Sequence, residues 1–198
     1  HGLALFEDDD ARERAQSYLG GIIRVAGMLG AGALVFGSPK NRLTRGRPAH
    51  EVREIADAFF RAAGEVAVRH RTAVCIEANP VEYGADWVNT AREAKALVER
   101  VDHPGFGLHL DIGGMVLAGE DIPAVVRDCA GMIRHFHVSE PFLAPVDQGD
   151  VDHESIANAL QEVGYRGWVS IEMRPDPDRD LAEHVGRSLE RVLAAYGD

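Results

Sequence analysis

The stretch IRHFHVSE, residues 133–140, alternates in an unusual sense for a half-buried strand. Phe136 and Val138 share one face, while Ile133, His135, His137 and Ser139 share the other. If the Phe136 face packs on helices, two imidazoles are aimed at whatever the strand encloses. Three other stretches keep this phase. In AVCIE, Val74 and Ile76 are the apolar parity and Glu77 ends the other; in LHLD, Leu108 and Leu110 oppose His109 and Asp111; in VSIE, Val169 and Ile171 oppose Ser170 and Glu172. Each short strand therefore carries a metal-competent side chain at or near its C-terminal end, and parallel strands bring such ends together. The implied constellation is Glu77, Asp111, His137 and Glu172.

Outward from these strands the chain alternates regularly. An acidic cluster opens a helix over residues 7–29, with Gly30 as its stop. A strand at 33–36 leads into the loop GSPKNR. Residues 48–70 carry Val52, Ile55, Ala56, Phe59, Phe60 and Ala63 at helical spacing, with Pro48 in the first turn. Further helices are predicted at 86–101, 122–131 and 180–196, with SIANALQEV forming another that stops at Gly164. IGGM after Asp111 reads as a glycine-rich turn, and 141–152 as a long loop. This is an α/β chain of parallel strands with helical crossovers. A doubly wound sheet calls for continuous aliphatic strands, whereas His and carboxylates on one parity suit the inner wall of a (β/α)8 TIM barrel, whose sites form at C-terminal strand ends.

Five strands are visible and a closed barrel has eight. The expectation is one domain over residues 1–198, N-terminally incomplete and holding the last five βα units. Three upstream units, association of copies into a homo-oligomer, or an open sheet would each accommodate this.

A length of 198 residues, 45% hydrophobic and 27% charged, suits a soluble globular domain. A formal charge of -11 offers no basic footprint, so neither nucleic acid nor an anionic membrane is expected as partner. No apolar run approaches the roughly 20 residues that span a bilayer. Cys75 and Cys129 have neither disulfide-framework nor zinc spacing, which points to buried thiols and a cytoplasmic location. The chain begins with His1 rather than Met, so an upstream segment is compatible with it.

The motifs LVFGSPKNR, CIEANPVEYG, LHLDIGG, HFHVSE and VSIEM, spread in order over nearly the whole chain, resemble the xylose isomerase-like barrel superfamily. Within it they look most like sugar phosphate isomerase/epimerase proteins related to the ketose 3-epimerases. The resemblance implies one divalent ion held by Glu77, Asp111, His137 and Glu172, with Glu77 and Glu172 also the catalytic pair. It implies a sugar or sugar phosphate as the small-molecule partner. Two departures stand out. Gly114 occupies the place of the His in the family's D-x-x-H, and EPFLAPVDQ lacks the Arg that follows the His strand in many ketose epimerases.

An oxygen-rich set with one imidazole suits Mn²⁺ or Mg²⁺, with Co²⁺ or Zn²⁺ also compatible. An ion holding a ketose carbonyl would stabilise the enediolate formed by proton abstraction, one glutamate removing the proton and the other delivering one to the opposite face. Ser38, Asn79, Glu140 and Arg174 are the substrate-binding candidates. The plainer reading makes Ser38 and Asn79 turn residues, Glu140 and Arg174 surface or supporting groups. His109 and His135 read as hydrogen-bonded core residues. The leading expectation is thus a metal-dependent sugar isomerase or epimerase of carbohydrate metabolism. A hydride-shift aldose–ketose isomerase or a dehydratase is the near alternative; an abasic-site endonuclease-like protein, or a non-catalytic barrel remnant, is the distant one.

Overall fold

Asp8 closes the first turn of helix α1 (Asp9–Leu29), its carboxylate accepting the Ala11 N–H at 2.7 Å, and Gly30 at φ 75° ends the helix in the left-handed region. The computed structural model describes residues 3–197. The chain divides into two compact units, and the division falls after His109, inside a strand.

The first unit continues through β1 (Leu34–Phe36), α2 (Ala49–Arg69), β2 (Val74–Glu77), α3 (Ala91–Val101) and the beginning of β3 (Phe106–Asp111). β1 runs parallel to β2 with Leu34 beside Val74, and β2 runs parallel to β3 with Glu77 beside His109. The helical spacing of α2 turns Val52, Ala56, Phe59, Phe60 and Ala63 inward. Phe60 stacks on Phe106 at 4.7 Å and meets the edge of Phe36 at 5.2 Å. Each buried ring of this kind contributes about 1.5–3 kcal/mol. The helix expected from residue 86 starts only at Ala91. Thr90 sets the start by accepting the Glu93 N–H, and Val88 just upstream holds a φ of 55° that no helix contains.

The second unit holds the end of β3, α4 (Ile112–Leu117), α5 (Ile122–Asp128), β4 (Ile133–Val138), α6 (His153–Glu162), β5 (Val169–Ile171) and α7 (Leu181–Tyr196). β4 and β5 are parallel, with His137 beside Ser170. The turn expected at IGGM is instead a short helix. Asp111 is its N-cap, accepting the Gly114 N–H at 2.7 Å, which outweighs the poor helix propensity of two glycines. α5 ends three residues before the expected Gly131, which sits at φ 81°. On α7 Leu181, Val185, Leu189 and Leu193 recur every fourth residue and are exposed, as is Trp168 ahead of β5.

The strand order is β1-β2-β3-β4-β5, and each pair with an assigned register is parallel, as the unbroken alternation requires. All six residues of β3 are buried. The edge strands β1 and β5 are only half-buried throughout. Cys75 and Cys129 are both buried thiols. Among the described residues, no helix is long and apolar enough to cross a membrane.

Candidate metal centre

In the first unit Glu77 ends β2. Its carboxylate lies against Gly37, where an added Cβ would approach Oε2 to 1.7 Å, so the residue after β1 must be glycine for this rotamer to exist. His109 Nε2 lies 3.9 Å from Glu77 Oε1. The backbone beneath Glu77 is held by Arg42, whose Nη2 donates to the Glu77 carbonyl at 2.8 Å and to Asn79 Oδ1 at 2.9 Å. Arg42 is only 1% exposed, and burial lowers its guanidinium pKa to about 10 against the opposing pull of Glu77 and Asp86. No local feature of the loop GSPKNR singles out this arginine, because its partners lie 35 and 37 residues away.

In the second unit Asp111, His137 and Glu172 come together. His137 Nδ1 is 3.1 Å from Glu172 Oε2 and 3.9 Å from Asp111 Oδ2. Asp111 Oδ2 also accepts the Ser139 hydroxyl at 2.6 Å. Burial raises the Asp111 pKa, with the hydrogen bonds from Ser139 and Gly114 working the other way. Glu172 is more open, and its hydrogen bond with His137 holds it below the usual carboxylate range. His135 is one turn of the pleat deeper, its ring 5.0 Å from that of His137; burial and then the His137 charge lower its pKa. It is His137, not His135, that faces the two carboxylates.

The four substrate-binding candidates fall differently. Ser38 is exposed and hydrogen-bonds Asn41 within its own turn. Asn79 is 4% exposed and committed to Arg42. Glu140 is buried, with Oε1 3.5 Å from His153 Nε2, and His153 Nδ1 lies 3.1 Å from the Tyr196 hydroxyl. Arg174 is exposed, its backbone N–H donating to Leu143 O at 2.9 Å. Ser139 entered the sequence reading only through its parity, and His153 and Tyr196 not at all. A serine on the histidine parity directly after a ligand strand was the available signal for the first.

The carboxylate and imidazole positions at strand ends define an α/β protein of the TIM-barrel kind. A family model described as xylose isomerase-like TIM barrel matches residues 1–192, and the chain belongs to that family. It is similar to a ketose 3-epimerase from Arthrobacter globiformis, 32% identical over 90 residues that cover 46% of this chain and 31% of the relative. An inosose dehydratase from Clostridium tetani (strain Massachusetts / E88) is 30% identical over 115 residues, covering 46% of this chain and 38% of that one. The matches thus span well under half the length of these curated relatives. The crystal structure of a 3-keto-D-glucoside 4-epimerase from E. coli, in its apo form, shares the fold with a TM-score of 0.87 at 18% identity, over 96% of this chain and 75% of that one.

Proposed function

We propose that this chain carries the metal-binding and proton-transfer groups of a sugar or sugar-phosphate epimerase or isomerase. The observation that carries the reading is the placement of His137 Nδ1 against both Asp111 and Glu172 in the second unit. Three carboxylates and an imidazole are a donor set for a hard divalent cation, Mn²⁺ or Mg²⁺ before Co²⁺ or Zn²⁺, and their charge nearly balances such an ion. The 3.1 Å contact supports the fit, since the Nδ1 position facing Glu172 is the one an ion would take from a proton. Glu77, Asp111, His137 and Glu172 would hold the ion. His109, read from sequence as a core residue, is also able to offer a ligand atom, its Nε2 lying 3.9 Å from Glu77 Oε1.

Bound there, a divalent ion supplies Lewis acidity that eases the build-up of negative charge on a neighbouring carbonyl oxygen. The chain's own residues divide the proton transfer. One of Glu77 and Glu172 takes the proton from the carbon beside a ketose carbonyl, and the other returns one to the opposite face. The contact with His137 favours the ionised, proton-accepting form of Glu172. Similarity to an inosose dehydratase supports a second reading, in which the same abstraction is followed by loss of water.

Calorimetric titration of the metal-free chain with Mn²⁺, Mg²⁺, Co²⁺ and Zn²⁺, followed by a screen of ketoses and ketose phosphates in deuterated water, tests this. One ion per chain and deuterium entering beside the carbonyl are expected, and an unsaturated product marks the dehydratase. His137→Ala should weaken metal binding first and lose turnover as a consequence, with excess metal restoring part of it. Undiminished metal affinity in that variant would remove His137 from the set.

A further inference from the structure

We infer that Ser139 is the positioning residue of Asp111, and that the short helix following Asp111 is built to serve this role. The inference rests on the metal-binding reading above and concerns how that site is held in shape. Ser139 follows β4 on the parity of His137 and is fully buried. Its hydroxyl donates to Asp111 Oδ2 at 2.6 Å and accepts the Gly113 N–H at 2.8 Å. The Gly114 N–H donates to the other carboxylate oxygen, Oδ1, at 2.7 Å. Each Asp111 oxygen therefore receives one donor, and the two come from different directions. A carboxylate so pinned has its plane fixed, and it keeps lone pairs for a further, cationic partner.

The sequence around Asp111 is shaped for this contact. A Cβ at Gly113 would lie 2.5 Å from the Glu140 carbonyl oxygen and 3.0 Å from Ser139 Oγ, so only glycine lets the start of α4 close onto residues 139 and 140. The second glycine supplies the capping N–H. Hydrogen-bonded supports of this type are worth about 10- to 100-fold in metal affinity. A purely structural serine would instead only satisfy the Gly113 N–H, and its loss would cost stability without altering affinity.

The experiment measures Mn²⁺ affinity by calorimetry, and melting temperature, for the unaltered chain, Ser139→Ala, Ser139→Thr and Gly113→Ala. Ser139→Ala should bind Mn²⁺ about 10- to 100-fold more weakly while still folded at the temperature of the titration, and Ser139→Thr, which keeps the hydroxyl, should recover most of the loss. Gly113→Ala leaves the serine in place but pushes the helix start away, and should weaken binding in the same direction; it decides the matter if Ser139→Ala does not fold. Unchanged affinity in folded Ser139→Ala or Gly113→Ala overturns the inference, as does an equal loss in Ser139→Ala and Ser139→Thr. Absence of Mn²⁺ binding in the unaltered chain fails the functional reading and this inference with it, whereas binding there with unaffected variants fails this inference alone.

Discussion

Two carboxylate–histidine pairs in the second unit use the same residue types to opposite ends. At the strand ends His137 meets Glu172 at 3.1 Å in a partly open setting, and the contact draws Glu172 below the usual carboxylate range. In the loop and helices that follow, Glu140 and His153 sit 3.5 Å apart and are sealed from solvent. There burial dominates. It raises the Glu140 pKa and, with Arg191 acting in the same sense, lowers that of His153 to about 4. The Tyr196 phenol is also pushed up by burial, and its hydroxyl lies 3.1 Å from His153 Nδ1. The first pair keeps one partner partly open to solvent. The second is a buried contact between the 140–152 segment, α6 and α7. Solvent access, rather than residue identity, separates the two pairs.

The sharpest way to break this contrast is Glu172→Gln. It keeps size and one oxygen ligand but removes the basic lone pair, so turnover should fall about 10²- to 10⁴-fold with the fold retained. Normal exchange of the substrate's α-proton in this variant would deny Glu172 a required part in proton transfer, and absence of exchange in an active unaltered chain would favour hydride shift. Glu140→Gln at the sealed pair should leave that exchange within a few-fold.

A smaller effect is expected in stability against pH. A histidine whose folded value lies below its unfolded 6.5 takes up its proton less readily when folded. Its contribution is therefore complete above pH 6.5 and is withdrawn as pH falls toward about 4. That interval is worth about 3 kcal/mol at most. Glu140 opposes it, because a raised carboxyl favours the folded chain at low pH and loses that contribution as pH rises. Urea unfolding at pH 7, 5.5 and 4 should show a shallower loss in His153→Gln than in the unaltered chain. Parallel pH profiles would contradict the neutral, sealed state assigned to His153.

The smallest expected effect is Tyr196→Phe, which strands His153 Nδ1 and should cost about 1 kcal/mol, read from the urea midpoint. A loss confined to metal affinity instead would tie the sealed pair to the strand-end site and collapse the distinction.

Period-two alternation made the strands and their order legible, because a strand's inward parity is written in adjacent letters. That Glu77, Asp111, His137 and Glu172 lie at or next to strand ends was visible for that reason. The start of α3 was misjudged because a single capping threonine and the left-handed Val88 override the helical pattern upstream. α4 was missed because two glycines signal a turn, while the cap that makes a helix of them is the candidate ligand itself. Arg42, Ser139, His153 and Tyr196 act through contacts 13 to 43 residues away along the chain, a range at which no local spacing rule operates.

The apolar stripe of Leu181, Val185, Leu189 and Leu193 belongs to a chain of net charge -11, and the two properties compete when copies approach one another. At an ionic strength of about 0.01 M repulsion reaches roughly 30 Å, far beyond the range of apolar contact; at about 1 M it shrinks to roughly 3 Å. Salt concentration thus sets the distance at which like charge still opposes the meeting of two such stripes.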